Sequence, residues 1–416
     1  MNSRGSTDFW KWALLVFLAA RSGDAVQALV DLWIVPANVA TADLGAILPV
    51  VSGMNVLALP LAIVVVPFSR WLAIYMFQNE FGKAKSLLRS VLFGTVAAVL
   101  LMGVFVWLCV PRLLALLRVS ESGFSMILLL TGMLVALSPV FDASLQGLRK
   151  FGTVAWAGFL SSGARLLVSL LLIPFRMFGG YLLGIAAAGF VRLTVIAVGL
   201  RPMLGGGVVS RPFLREDGKE LLRYALPLAI SLTIWHLVMG WQATVVRLNL
   251  PEAESAAYFF INRFADVGQW AGLSLLFVAF PTIVAANASE QNLILKRTLA
   301  LTLLAGAAVA SGYGLFLAPV MRFVARWRDY VPYAGFIALY TFRYAMGVSV
   351  GAFMSCEQAA ANFRYLYYLV PCVAVESVTL TFIRRLDVML WWLTFTVAVQ
   401  LAIVWTVVIR RGRSLE

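Results

Sequence analysis

The sequence predicts an all-α polytopic membrane protein, with about twelve transmembrane helices in two parallel six-helix bundles around a central cavity. Three observations predict it. Hydrophobic residues make up 62% of the 416-residue chain and charged residues 12%, with mean hydropathy +0.91, whereas an average soluble domain carries roughly 25% charged residues. Apolar runs near the ~20 residues needed to cross a bilayer recur from end to end, separated by short polar breaks. The two halves also show a weak internal repeat.

The first predicted helix covers about residues 12 to 34. Leu18-Ala19-Ala20 has the small-residue pattern of a signal-peptide cleavage site, but apolar character resumes after Arg21-Ser22-Gly23-Asp24 and runs to Val35. One longer helix is the simpler reading. Further spans fall at about 44–69, 86–109, 123–146, 151–175 and 179–200. After a basic stretch come six more, at about 224–246, 257–286, 298–321, 331–357, 363–383 and 388–409. The domains are therefore an N-terminal bundle over 1–200, a cytoplasmic basic linker over 201–223, and a C-terminal bundle over 224–416.

A formal charge of +14 would point to nucleic acid in a soluble protein. Here the Lys and Arg residues sit mostly between apolar runs and read as topology signals. The N-terminus, the even-numbered connections with the adjoining helix ends (Arg89 and Arg364), and the C-terminus hold 19 of them, against 9 in the odd-numbered connections. Cytoplasmic loops retain positive charge, so both termini are expected in the cytoplasm.

The repeat has a spacing of about 212 residues, and its matches agree on register and on position within a six-helix unit. Gln146-Gly147-Leu148-Arg149-Lys150-Phe151 falls on Gln358-Ala359-Ala360-Ala361-Asn362-Phe363. Pro67, with Lys83 and Lys85 downstream, falls near Pro281 with Lys296 and Arg297. Six helices per copy is an even number, so both copies face the same way.

The connections are too short to hold a soluble domain, and no GxxxxGK[ST] phosphate loop occurs, so transport would draw on a gradient, the membrane potential or consumption of the product. Cys109, Cys356 and Cys372 lie in separate apolar segments without CxxC spacing. Free core thiols are expected, with no metal and no cofactor. No catalytic residues are expected either.

Ionisable groups inside the hydrocarbon are costly and carry most of the functional signal. The predicted spans contain Arg21, Arg165, Arg192, Arg263 and Arg343, the acids Asp24, Asp31, Asp142, Asp266 and Glu376, and the lone histidine His236. Arg21, Asp24 and Asp31 are spaced i, i+3, i+10, a single stripe of helix 1. Ser162, Arg165 and Ser169 form a polar stripe on helix 5, and Arg343 lies mid-span in helix 10 without a local acid. Arg165 and Arg343 are the cations that most need an external anion, or else salt bridges to Glu376 or Asp31. Arg263 and Asp266, at i and i+3, should pair near the outer end of helix 8. Arg192 and Asp142 read as structural, and His236 as a packed residue before a proton relay. Trp10, Trp12, Trp71, Trp327, Trp391 and Trp392 fall at helix ends as an interfacial belt. Pro60, Pro139 and Pro227 permit bends.

Four segments resemble the multidrug, oligosaccharidyl-lipid and polysaccharide exporter superfamily, and within it the bacterial polysaccharide and lipid-linked-oligosaccharide flippases. They are Asp43-Leu44-Gly45-Ala46 opening helix 2, Gln78-Asn79-Glu80-Phe81-Gly82-Lys83-Ala84-Lys85 before helix 3, Gln146 to Phe151 between helices 4 and 5, and Pro174 with Gly179-Gly180-Tyr181-Leu182-Leu183-Gly184 entering helix 6. The resemblance implies two bundles around a V-shaped cavity that alternates between membrane faces, with lumenal arginines engaging a lipid diphosphate. Arg21, Asp24 and Arg263 match such residues by type and helix. Arg165 and Arg343 match no family motif and rest on the physical argument alone.

The function expected from the sequence is flipping of a polyprenyl-diphosphate-linked saccharide to the outer leaflet of a bacterial inner membrane, for cell-surface polysaccharide or lipopolysaccharide biosynthesis. Arginine forks suit a diphosphate. Arg21, Arg165, Arg263 and Arg343 are the expected substrate-binding residues, and Asp24, Asp31, Asp266 and Glu376 the coupling or ion-binding ones. Expected partners are the lipid-linked oligosaccharide, the lipid bilayer, and a polysaccharide polymerase or glycosyltransferases; nucleic acid is not expected, and a monomer suffices. The alternative in the same fold is a cation-coupled multidrug exporter, using Asp24, Asp31, Trp235 and Trp241 against cationic drugs. A membrane-embedded glycosyltransferase or ligase would need an ordered extramembrane loop that the short outer connections do not offer, and a non-catalytic scaffold of a polysaccharide machine is a further alternative.

Overall fold

The computed structural model describes residues 15, 18–119, 124–148, 150–205, 215–285, 288–359 and 362–415. The side chains of 215–225, 235–237 and 271–289 are outside the described set, so the expectation for His236 and most of the basic linker lie there too. Among the described residues the chain is helical, with no strand.

Helix α1 covers 18–38 and contains a π-helical turn, Val30–Ile34. It is followed by α2 (Thr41–Phe77), α3 (Phe81–Leu116) and α4 (Ser125–Gly147). The run Phe151–Leu204 breaks at Met177, where φ is 45° and ψ −116°, giving α5 (151–176) and α6 (178–204). Next come α7 (Arg215–Asn249), α8 (Glu252–Ala285) and α9 (Ala288–Phe323). A 3-10 segment, Ala325–Tyr333, leads into α10 (Ala334–Ala359), α11 (Leu366–Leu380) and α12 (Leu386–Leu415). Twelve helices among the described residues match the twelve predicted spans. By length and composition, seven helical stretches are long and apolar enough to cross a membrane, and Phe151–Leu204 counts among them as one.

The chain divides into two compact units that interleave along the sequence. Unit 1 holds α1 up to Val30, Asn38–Asp43 and Pro49–Gly240. Unit 2 holds Asp31–Ala37, Leu44–Leu48 and Trp241–Glu416. Helix α1 therefore changes unit within its π-helical turn, and most of α7 goes with unit 1 rather than with the C-terminal half.

In unit 1 the core forms where α2, α3, α4 and α6 bring Phe68, Leu72, Leu88, Val140 and Ile196 out of solvent. Small residues permit the close approaches: a Cβ on Gly147 would sit 2.9 Å from Leu72, and one on Gly199 2.7 Å from Thr153. Basic residues from the even-numbered connections close the end of α6. Lys150 Nζ donates to the Gly199 carbonyl and Lys85 Nζ to that of Gly205, both at 2.7 Å. Cations at a helix C-terminus satisfy its orphan carbonyls and complement its dipole. These lysines thus have a structural job besides setting topology.

Unit 2 packs α8, α9, α10 and α12 around Phe259, Phe260, Ile337, Tyr340, Phe353 and Leu393. Gly268 faces Thr341, and Gly306 faces Ala345, too closely for any side chain at either glycine. The borrowed piece of α1 is held by side chains that donate to its backbone carbonyls. Trp327 Nε1 donates to the Leu32 carbonyl at 2.7 Å, and Arg326 donates to the Trp33 carbonyl while lying over the Trp33 ring. Trp327, expected in the interfacial belt, is only 6% exposed. Its indole is a donor that accepts burial because the π-helical turn offers it a carbonyl.

Candidate functional site

The intramembrane charges fall into separate groups, one in each unit. In unit 1, α1 meets α5 through small residues spaced four apart. A Cβ on Gly158 would lie 3.0 Å from the Ala19 Cβ, and one on Gly23 would lie 3.3 Å from Ser162 Oγ. Ala19 and Gly23 on one helix against Gly158 and Ser162 on the other is the small-xxx-small pairing that lets membrane helices touch backbone to backbone. That contact places the polar stripe of α1 next to that of α5. Arg21 Nη1 pairs with Asp24 Oδ2 at 2.8 Å, each side chain only partly buried. Arg165 Nη1 donates to Gln27 Oε1 at 3.2 Å, and its guanidinium lies 5.8 Å from the centroid of the Tyr181 ring on α6.

In unit 2, Arg263 on α8 is clamped by two carboxylates. Its Nε lies 2.9 Å from Asp31 Oδ2 and its Nη1 2.8 Å from Asp266 Oδ2. Asp31 is fully buried and the Arg263 side chain is 7% exposed. Gln269 donates to the other Asp266 oxygen at 3.2 Å. Asn262 donates to the Tyr344 hydroxyl at 2.9 Å.

The ring of Tyr344 leads to Arg343 on α10, whose guanidinium lies 4.6 Å from the Tyr340 centroid and 5.7 Å from that of Tyr344. Arg343 Nη2 donates to Gln242 Oε1 at 3.0 Å, and Nε donates to the Leu393 carbonyl at 3.3 Å. The Gln242 amide donates to Glu376 on α11, and Gln400 on α12 donates to the second Glu376 oxygen at 3.4 Å. Tyr258 and Tyr340 share a hydroxyl hydrogen bond of 2.9 Å.

This network combines three carboxylates (Asp31, Asp266, Glu376) with two guanidiniums (Arg263, Arg343), all nearly inaccessible to solvent apart from the partly exposed Asp266. Burying charge is tolerable when each group is paired and hydrogen-bonded. Among these five residues the carboxylates outnumber the guanidiniums by one.

The sequence-predicted residues are thus sorted by the fold. The Arg21–Asp24 pair and Arg165 lie in unit 1, while Arg263, Arg343, Asp31, Asp266 and Glu376 lie together in unit 2. The expected Arg263–Asp266 pair forms. Arg343 does not face Glu376 directly but reaches it through Gln242. Arg192 and Asp142, read as structural, make a two-pronged bridge between α6 and α4, with Arg192 Nη2 2.9 Å from Asp142 Oδ2. Sequence reasoning passed over Gln27, Gln242 and Gln400. Their signal was available: each is a lone amide in an apolar run, and a buried amide needs partners.

A helical transporter fold is the class these features define, and comparison with solved structures agrees. The chain is similar to an inward-facing multidrug resistance MATE family transporter of the MOP superfamily, with a TM-score of 0.67 and 15% identity over 98% of this chain and 94% of that one. An outward-facing transporter of the same family gives a TM-score of 0.68 at 17% identity, covering 98% and 96%. A Vibrio cholerae MATE transporter gives 0.67 at 13% identity, covering 97% and 96%. No protein-family model and no curated protein sequence matches the chain.

Proposed function

We infer that the chain is a membrane exporter working by alternating access and coupled to proton or cation flux through the unit 2 network. The supporting observation is Arg263 held between Asp31 and Asp266, with Asp31 on the segment of α1 that changes unit. A charge that comes or goes at Asp31 alters the attachment of the same helix that carries Arg21, Asp24 and Gln27 in unit 1. Differential binding of an ion to two arrangements is what couples it to a conformational cycle. Glu376, bridged to Arg343 by Gln242, is the second coupling group, and Asp24 the corresponding acid of unit 1. The charge asymmetry of the connections supports cytoplasmic termini in a bacterial inner membrane.

The multidrug resistance transporters of similar fold support drugs as cargo. A second reading is supported by a specific observation: Arg165 on α5 donates to Gln27 of α1, the helix that also carries Arg21, and lies over the Tyr181 ring. A guanidinium on such a polar face suits a phosphorylated headgroup. On that reading the cargo is a polyprenyl-diphosphate-linked saccharide engaged from unit 1, while Arg263 and Arg343 stay buried within the unit 2 network. Purified protein in vesicles under an imposed gradient separates the two. Efflux of a cationic fluorescent dye without flipping of a lipid-linked saccharide supports the drug reading; flipping alone, lost on Arg165→Lys, supports the other. Transport of neither would overturn both.

A further inference from the structure

Outside the charged clusters, unit 1 contains a cavity of about 170 Å³ between α2, α3 and α4. All its lining residues are apolar or glycine except the thiol of Cys109. Its walls repeat one device on each helix, an adjacent glycine and methionine: Gly53-Met54 on α2, Met102-Gly103 on α3 and Gly132-Met133 on α4.

The pairs interlock. A Cβ on Gly103 would meet Met133 Sδ at 3.2 Å, one on Gly132 would meet Met54 Cγ at 3.9 Å, and one on Gly53 would meet nothing within 4 Å. Each glycine removes a side chain from the wall, and in two cases a neighbour's methionine lies over the gap. Methionine is unbranched and polarizable, so it can swing aside and remake contact with an incoming apolar group. Tightly packed membrane helices would close such a space with leucine or with glycine against glycine. Here it stays open.

The cavity adjoins the apolar outer face of α3, where Leu101, Val104 and Leu108 are 74%, 66% and 68% exposed. In a membrane that face meets hydrocarbon. No charged or hydrogen-bonding side chain among the lining residues could recognise a headgroup, so only a chain is accommodated.

We propose that this cavity is a binding site for a hydrocarbon chain, occupied by an acyl chain of a bilayer phospholipid that enters sideways between α3 and its neighbours. The site does not depend on the cargo or the coupling mechanism, because it shares no residue with either charged cluster.

The test uses purified full-length protein in detergent micelles, with a phosphatidylglycerol carrying a photoactivatable diazirine in one acyl chain. Mass spectrometry should map saturable cross-links to Met54, Met102 and Met133, reduced at least fivefold by excess unlabelled phosphatidylglycerol. Gly53→Leu, whose new side chain enters open space, should abolish them while leaving the melting temperature unchanged. Met102→Ala, which enlarges the cavity, should retain them. Cross-links spread evenly over Leu101, Val104 and Leu108 and indifferent to Gly53→Leu would overturn the proposal. Displacement by a polyprenyl phosphate but not by phospholipid would overturn the assignment of the occupant.

Discussion

Arg263 and Arg343 are both buried arginines, yet their surroundings differ. Arg263 is held by two carboxylates, whereas Arg343 is held by an amide, a backbone carbonyl and two aromatic faces. Removing one partner of a buried ion pair costs about 3–5 kcal/mol because the other charge is left stranded. Arg263→Ala should therefore lower the denaturation midpoint strongly, and adding Asp31→Asn should recover part of the loss. A double-mutant cycle on thermal unfolding checks this; strict additivity would show that the Asp31 contact carries no coupling. Arg343→Lys should also destabilise despite keeping the charge, since an ammonium cannot bond Gln242 and the Leu393 carbonyl while stacking on Tyr340.

How much of the site could be read in the sequence depends on separation along the chain. Arg263 and Asp266 lie one helical turn apart, so the pairing follows from helix geometry alone. Asp31 and Arg263 are brought together by tertiary packing, and neither local spacing nor charge count points to it. The spacing of Asp24 and Asp31 along α1 carries no sign that the two acids fall in different units, on either side of the boundary after Val30.

At the scale of elements, hydrophobic runs fixed the helices well, since a membrane demands continuous internal hydrogen bonding. The predicted break between α5 and α6 is present, but its chemistry is unexpected: a methionine adopts the positive φ. Left-handed backbone costs a non-glycine residue roughly 1–2 kcal/mol. Met177→Gly should raise the melting temperature, and Gly180→Ala should lower it, because a Cβ there would sit 2.5 Å from the Leu172 carbonyl. A second element-level expectation concerns the α1–α5 seam. Gly158→Leu should separate Arg165 from Gln27 and reduce transport per folded molecule, whereas Gly163→Leu, where a Cβ would meet nothing within 4 Å, should not. Equal effects would remove the small-residue seam as the device that positions the unit 1 cluster.

At the scale of the molecule, the helix count and the all-α class follow from composition, but the interleaving of the units does not. It depends on hydrogen bonds such as Trp327 to Leu32, between residues nearly three hundred positions apart. Helix α1 contributes residues to both units, and the proposed coupling through Asp31 rests on that continuity. The most direct measurement is transport into vesicles as a function of an imposed proton or sodium gradient, for wild type and for Asp31→Asn, each normalised to folded protein. Wild-type rates should rise with the gradient, and those of Asp31→Asn should stay flat while residual downhill transport persists. Gradient-driven acceleration that survives in Asp31→Asn, or a wild type indifferent to both gradients, would contradict coupling through unit 2.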